Sequence, residues 1–423
     1  MTTILSLPSL ASRPFFFYNP PATIKEESIV DFDYTPQEEA FRQELRSWLE
    51  ANLPEEYSPE TFEQLEQDKR FEIQLKWQKK LFAAGWVGIH WPKEYGGRGA
   101  TVVEQTIYQQ EMARVRAPGV ANPLGISIVG PTLMHWGTEE QKKRYVPKIL
   151  SAEEIWCQGY SEPGSGSDFA SLQTRAIEDG DSFVVNGQKV WTSYAHKSHR
   201  CILVVRTDPN APKHKGLSYL LVDMKSPGIT VQPLVQITGD AEFNEVFFED
   251  VRVPKANIVG EKNQGWQVAV TTLMFERANF GIVYQLEPVL RQLVAIAKRV
   301  HVNGHTAAED PAVRQKLAQF HIEAQAIKYN GFRQLSRQLR GDPPGPEGSI
   351  GKLAGSELNL RVVHFATELL GPYGQMALGE SKGIDGGYWS RRALASRLYT
   401  IAGGTSEVMR NIVGDRVLGL PKG

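Results

Sequence analysis

Four runs decide the fold: CILVVRT (201–207), LSYLLVDM (217–224), ITVQPLVQI (229–237) and EVFFEDVRV (245–253). Each is rich in β-branched and aromatic residues, and turn material separates them, DPNAPKHKG (208–216) and KSPG (225–228). Even spacing with no helical pattern between the runs predicts an antiparallel sheet or small barrel, not a nucleotide fold of alternating strand and helix. This strand region extends from about Trp156 to Val259.

Outward from it, both flanks read as helix. TPQEEAFRQELRSWLEANLP (35–54) opens on a Thr cap, puts Phe41, Leu45, Trp48 and Leu49 on one face and stops at Pro54. Further helices are predicted at Phe71–Ala84, Val103–Arg116 and Glu139–Leu150, with the Gly- and Pro-rich GWVGIHWPKEYGGRGAT (85–101) as a loop. On the C-terminal side the pattern predicts one helix from Trp266 to about Arg299, roughly 50 Å long at 1.5 Å per residue, with Pro288 as a kink. Helices over about Pro311–Arg340, Ile350–Leu370 and Trp389–Ile401 follow, with GDPPGPEG (341–348) as a linker. The fold class is therefore α+β multidomain: an N-terminal extension (1–33), a helical domain (34–155), a middle antiparallel β-barrel-like domain (156–260) and a C-terminal helical bundle (261–423).

Composition narrows the function. A chain of 423 residues fits about three domains and excludes a small binding module. With 47 basic and 48 acidic residues the net charge is −1, so no global field holds nucleic acid or anionic lipid, and any anionic ligand must be met by local groups. Two cysteines, Cys157 and Cys201, argue against a disulfide framework or a thiolate metal cluster and fit a reducing, cytoplasmic setting. The histidines show no metal-ligand spacing, so no metal is expected. No apolar run reaches the 18 or so residues that span a bilayer. The aromatic, proline-broken PFFFYNPPATI (14–24) lacks the order of a secretory signal and predicts a loosely docked extension.

Four segments carry candidate chemistry. In QGYSEPGSGSDFAS (158–171), Gly164 and Gly166 permit close backbone approach while Ser161, Ser165 and Ser167 offer hydroxyls; a structural loop and a ligand cradle both fit. In NGQKVWTSYA (186–195), Asn186-Gly187 predicts a hairpin turn and Lys189–Tyr194 a strand, whose Trp191 is either core or a stacking platform with Thr192 and Ser193 at its edge. In NQGWQVAVTTLMFERANFGIVYQL (263–286) the charged residues are Glu276 and Arg277 alone. Neighbours on a helix point about 100° apart, so each needs another partner. A carboxylate beside Leu273 and Phe280 is either half of an inter-helix ion pair or a desolvated general base. In AGGTSEVMRN (402–411) two glycines break the helix, and Thr405 caps a new one that offers Ser406, Glu407 and its first N–H groups to a ligand.

Together these segments resemble the acyl-CoA dehydrogenase family, from about Thr35 to Pro421. GYSEPGSGSDFAS is similar to its central signature, which implies flavin contacts for Tyr160, Ser161 and Gly166, and a position for Ser167 shared between flavin and the CoA ester. Trp191-Thr192-Ser193 resembles its flavin motif, with Trp191 against the ring and Ser193 near N5. Thr405, Ser406 and Glu407 fall at further cofactor positions, and Gly404 and Arg277 at substrate positions. GWVGIHWPKEYGGRGA, WGTEEQKKRY and FNEVFFEDVRVP resemble other recurring segments. The resemblance implies a helical domain, a β domain and a four-helix bundle with FAD between the last two. The implied reaction converts an acyl-CoA to a trans-2-enoyl-CoA and passes electrons to an electron-transferring flavoprotein or similar acceptor.

The sequence departs from the common pattern in three places. Many members place their catalytic Glu just before Gly-Thr, where this chain has Gly403; a minority, the isovaleryl-CoA type among them, carry it before an Arg on the long helix, where this chain has Glu276. The R-x-x-FG segment that reaches a neighbour's FAD is replaced by KRVHVNGHTAAEDPAVRQKLAQF (298–320), and Glu368 stands where Gln is common. The resemblance thus implies Glu276 as base, branched, long or bulky acyl groups, and a homodimer, a homotetramer or a mixed tetramer with a related subunit. A cofactor-poor partner subunit and an acyl-CoA or nitroalkane-type flavin oxidase are the competing readings.

Overall fold

A computed structural model describes residues 34–54, 57–62, 64–277, 281–302, 304–339, 345–380 and 384–421. The N-terminal extension and residues 341–344 of the predicted linker lie outside them.

Helix starts in the N-terminal domain are written in short polar signals. The Thr35 side chain accepts the Glu38 N–H at 3.3 Å while the Glu38 carboxylate accepts the Thr35 N–H at 2.8 Å, a reciprocal box that opens α1 (Pro36–Asn52). Thr101 with Glu104 and Thr138 with Gln141 repeat it at α4 (Val102–Arg114) and α6 (Glu139–Leu150). The expected face of α1 is buried through Phe41, Leu45 and Leu49, and half-buried Trp48 meets Trp77 of α3 (Gln67–Ala83) at 5.5 Å. A short α2 (Pro59–Phe62) and α5 (Gly130–Trp136) were not predicted. A π turn, Gly125–Val129, runs into α5, and the glycines that read as breakers are demanded by packing. A Cβ on Gly130 would come within 2.2 Å of the Trp91 ring.

The middle domain is a β-sheet half-barrel of seven strands: β1 (Trp156–Gly159), β2 (Arg175–Asp179), β3 (Ser182–Lys189), β4 (Arg200–Arg206), β5 (Leu217–Asp223), β6 (Ile229–Leu234) and β7 (Phe243–Pro254). The order is β1-β4-β2-β3-β7-β6, with β5 also on β4. The sheet is not wholly antiparallel as expected, because β1 lies parallel to β4, Cys157 opposite Cys201, and β2 touches β4 in parallel at Arg175 and Arg206. β2 and β3 intervene in the chain between the paired strands β1 and β4, and this crossover lets the two run the same way. Two further expectations fail. Asn186-Gly187 is not a turn but a register shift inside β3, and the hairpin turns instead at Gly180. At Gly187 a Cβ would stand 2.6 Å from the Thr174 hydroxyl, so the glycine serves a close approach. The strand predicted to reach Tyr194 ends at Lys189, because Trp191 (φ 59°) and Tyr194 (φ 57°) turn the chain out of the sheet.

The C-terminal domain is helical. The long helix predicted from Trp266 is described as α7 (Gly265–Arg277) and α8 (Gly281–Ala297), with 278–280 outside the described residues. A two-rung hairpin, β8 (His301–Val302) and β9 (His305–Thr306), leads to α9 (Pro311–Leu339), α10 (Gly348–Leu370), α11 (Tyr388–Ala395) and α12 (Ser406–Ile412). Helices α8, α9 and α10 pack on one another around Leu293, Ile296, Phe320, Leu358 and Val362. Helix α7 belongs to another core: Val268 and Ala269 join the N-terminal cluster, and the Thr272 hydroxyl lies 2.9 Å from that of Thr132 and 3.3 Å from that of Tyr219. Enclosure by two domains explains why α7 is so poor in charge, and it carries Glu276 to a domain junction. Among the described residues no helix is long and apolar enough to cross a membrane.

Candidate functional site

The segment after β1 is braced from below. Tyr160 is buried with its ring stacked on Phe169 (4.9 Å, 17°), Phe169 stacks on Trp266 of α7 (5.8 Å, 24°), and Tyr219 meets Tyr160 edge-on. Burial pushes the Tyr160 phenol far above its ordinary pKa, so it stays protonated. Glu162 and Ser165 bond to each other through N–H and carbonyl in both directions, and the Ser165 hydroxyl turns inward to the carbonyls of Asp168 and Phe169. Of the two readings open for Ser165, turn or ligand hydroxyl, it holds the turn. Gly164, Gly166 and Ser167 are exposed, and nothing lies within 4 Å of where a Cβ on either glycine would point.

Under this turn is an ion pair that sequence reasoning missed. Lys189, at 0% exposure, donates to Glu162 Oε1 at 2.8 Å and to the Tyr160 carbonyl at 3.0 Å. The Glu162 carboxylate also accepts the N–H groups of Gln173 (2.6 Å) and Thr174 (2.9 Å). Burial works against its ionisation, but the Lys189 charge and these bonds outweigh it and hold the carboxyl below its ordinary value. The signal was a lysine inside a strand between Gln188 and Val190, an inward position that demands an acid. The pair ties the 160–167 turn to β3 and so to Trp191.

Trp191 is 61% exposed, and its positive φ costs a non-glycine residue about 1 kcal/mol. The next residue is fixed: the Thr192 N–H donates to the Asn244 carbonyl at 3.0 Å and its carbonyl accepts from Asn244 Nδ2 at 2.9 Å. The Thr192 hydroxyl is buried without a protein hydrogen-bond partner, and Ser193 is half-buried beside it.

Glu276 closes the last turn of α7, half-buried, one turn after half-buried Leu273 and just before Arg277 in the chain; Phe280, its other expected neighbour, lies outside the described residues. The structure brings Glu276 to Gly403, where a Cβ would stand 3.2 Å from Glu276 Oε1. Gly403 (φ 67°) and Gly404 (φ 99°) both take the left-handed conformation. The expected cap is present, with the Thr405 hydroxyl accepting the Val408 N–H at 3.2 Å. Ser406 is buried and donates to Glu357 at 2.7 Å, while Glu407 is exposed. Lys352 of α10, not singled out from the sequence, donates to the Gly404 carbonyl.

A separate cavity of about 280 Å³ lies where α3, the 236–242 loop and α11 meet, and Glu276 does not line it. Its floor is a cluster in which Asp240 accepts from Arg70 on one oxygen and from Arg391 on the other. Tyr194 links its wall to the Trp191 segment.

Known proteins show the same layout. Family models for the N-terminal, middle and C-terminal domains of acyl-CoA dehydrogenases match residues 35–153, 157–251 and 263–418. The acyl-CoA dehydrogenase IpdE1 of Mycobacterium tuberculosis is 40% identical over 392 residues, 91% of this chain and 98% of that protein. The solved Tcur3481-Tcur3483 steroid ACAD superposes with a TM-score of 0.81 at 33% identity, covering 93% of this chain and 100% of that one. The ChsE4-ChsE5 complex from Mycobacterium tuberculosis gives 0.79 at 34% identity over 93% and 100%. Three domain models in order and a relative aligned almost end to end leave one conclusion: the chain belongs to the acyl-CoA dehydrogenase family, whose members are FAD-dependent oxidoreductases.

Proposed function

We propose that this chain dehydrogenates an acyl-CoA thioester to a trans-2-enoyl-CoA with FAD as cofactor and Glu276 as the base. The observation that carries the reading is the contact between Glu276 and Gly403: the carboxylate from α7 lies against the residue where many relatives carry theirs. One acid therefore serves the place from the other side.

The residues fit FAD. An exposed indole at Trp191, held at a costly φ, offers a stacking face, and the buried Thr192 hydroxyl is satisfied by an acceptor on a ring edge. On this reading Ser193, Ser161 and Tyr160 add contacts to the cofactor, the open backbone at Gly166 admits close approach, and the 405–407 turn offers the start of α12. When bound, FAD supplies the acceptor for the hydride leaving Cβ. Glu276 takes the proton from Cα, which it does only as a carboxylate. On the same reading Arg277 contacts the CoA part of the substrate, Ser167 is shared between flavin and the CoA ester, and Gly404 lies at a substrate position. Electrons leave to an electron-transferring flavoprotein or similar acceptor.

A bulky acyl group fits best. Gly403 adds no side chain beside the base, and the similar Tcur3481-Tcur3483 complex is a steroid ACAD. A second reading, a subunit of a mixed tetramer, is favoured by the likeness to the two-protein complexes Tcur3481-Tcur3483 and ChsE4-ChsE5 and by Glu368 where Gln is common. An anaerobic screen of isovaleryl-CoA, palmitoyl-CoA and a steroid-carboxyl-CoA thioester for bleaching of the flavin tests both readings. Wild type is expected to bleach with the bulkier thioesters, and Glu276→Gln to keep its flavin but react about 10²–10⁴-fold more slowly. Normal reduction in Glu276→Gln overturns the assignment. A colourless protein that gains flavin only when mixed with a related subunit supports the second reading.

A further inference from the structure

The chain leaves the sheet after Lys189, opposite Val246, and the residues that follow stand outside the ladder. Two of them, Trp191 and Tyr194, take the left-handed conformation that bulky side chains rarely adopt. What lies between them is clamped by one residue of β7. Asn244, fully buried, donates from Nδ2 to the Thr192 carbonyl at 2.9 Å and to the Glu242 carbonyl at 3.0 Å, and its own carbonyl accepts the Thr192 N–H at 3.0 Å. The N–H and the carbonyl of Thr192 thus both end on Asn244.

Asn244 is itself oriented. With both amide hydrogens spent on carbonyls, its Oδ1 faces His196 Nδ1 at 3.0 Å, so that ring nitrogen carries the proton and donates. The other ring nitrogen, Nε2, lies 3.4 Å from Nε2 of Gln67 on α3, whose Oε1 accepts the Ala241 N–H at 3.2 Å. Burial holds the imidazole below its ordinary pKa, against the Asn244 bond that favours the charged ring, so Nε2 serves as an acceptor. Donors and acceptors therefore run in one direction from α3 through His196 and Asn244 to Thr192.

At the end of this chain stands the Thr192 hydroxyl, buried and without a hydrogen-bond partner among the described residues, beside the exposed Trp191. A buried hydroxyl left unpaired costs free energy, and a ligand can relieve that cost only where the residue is held still. We propose that Asn244 is a positioning residue for the cofactor and that His196 orients it: together they fix Thr192, so that its hydroxyl and the Trp191 indole are presented to the flavin before it binds. Neither side chain needs to reach the flavin itself.

This inference rests on the reading that Trp191 and Thr192 contact FAD, and the test separates the two. Apoproteins of wild type, His196→Leu, His196→Asn, Asn244→Asp, Thr192→Val and Trp191→Asn are titrated with FAD well below each thermal midpoint. The visible band of the bound flavin, which responds to hydrogen bonds at the ring edge, is recorded alongside. His196→Leu leaves Asn244 Oδ1 without its donor, and Asn244→Asp turns oxygens toward two carbonyls; FAD affinity is expected to fall about tenfold in both, with a displaced band. Asparagine carries Nδ2 at the same bond count from the backbone as imidazole Nδ1, so His196→Asn should stay within about threefold of wild type. A merely structural role would lower the midpoints and leave affinity and band as in wild type. That result, or His196→Asn binding as weakly as His196→Leu, overturns the proposal. If Asn244→Asp fails to fold, the His196 pair decides alone. Wild-type affinity in both Thr192→Val and Trp191→Asn, or no binding of FAD by wild type, overturns the underlying reading, and the proposal falls with it. Weakening in those two with none in the His196 and Asn244 variants overturns the proposal alone.

Discussion

Glu276 and Gly403 occupy one place in the fold: a Cβ on Gly403 would stand 3.2 Å from Glu276 Oε1, closer than side-chain carbons normally sit. If Glu276 is the base, as proposed, this proximity lets it serve the place that a side chain at position 403 would reach. Two carboxylates placed there would share a small volume and repel each other.

Gly403→Ala is the smallest probe of this relation. At φ 67° an alanine costs about 1 kcal/mol in the backbone, and its methyl must push the Glu276 carboxylate aside by a few tenths of an ångström. Flavin content is expected to be unchanged and kcat/KM to fall roughly tenfold, the equivalent of about 1.4 kcal/mol in the barrier. Steady-state kinetics with matched flavin occupancy checks it; wild-type kcat/KM would show that Glu276 does not act from this position.

The buried Glu162–Lys189 pair predicts an acid-labile step. Because the folded state holds the Glu162 carboxyl below its unfolded value of about 4.3, its stabilisation is fully present above that pH and is lost as pH falls through the lower folded value. Thermal midpoints of wild type should therefore drop on acidification below about pH 4. Glu162→Gln leaves Lys189 buried without its counter-ion, so it should be less stable at neutral pH by about 3–5 kcal/mol and lose part of that acid dependence. Parallel curves for the two proteins would assign the acid lability elsewhere.

Much of this fold could be read directly, and the failures have physical causes. Runs of β-branched and aromatic residues located β4 to β7, and a Thr cap with an apolar face located α1, since both signals are local. Helix α5 was hidden because Gly125, Gly130 and Pro131 look like breakers, whereas Trp91 and Asn122 leave no room for a Cβ at the two glycines. Asn186-Gly187 misled in the opposite sense: it has turn chemistry, but Thr174 presses on it inside a sheet. Glu276 was visible as a charge where none belonged. Its convergence with Gly403 was not, because α7 and the turn before α12, far apart in the chain, create it.

Trp191 offers a test that separates function from stability. Its indole is 61% exposed and its backbone is left-handed, so the side chain contributes little burial while its backbone is strained. Asparagine tolerates that conformation, and Trp191→Asn should leave the thermal midpoint of flavin-free protein level or higher. If the indole stacks on the flavin, FAD affinity should weaken more than about tenfold, the lower end of an aromatic stacking contribution of roughly 1–3 kcal/mol. Fluorescence titration of apoprotein with FAD measures it, and unaltered affinity would remove Trp191 from the cofactor site.

Asp240 ties the three domains together from the middle one. Its two oxygens are shared between Arg70 of α3 and Arg391 of α11, all three side chains being 10–13% exposed. Removing an exposed partner of a surface pair changes stability little, but here Asp240→Asn leaves two guanidinium groups converging on a neutral amide in an enclosed place. The cost should be about 3 kcal/mol or more, and salt should recover little of it because the site is shielded. The loss should appear at the junction and not within any one domain: hydrogen exchange should quicken around α11 and the 236–242 loop while the α8–α9–α10 core keeps its protection. Calorimetry of Asp240→Asn at two salt concentrations, paired with exchange mapping, decides the point. A midpoint within about 1 °C of wild type, or loosening spread evenly over the chain, would mean that packing alone holds the domains in register.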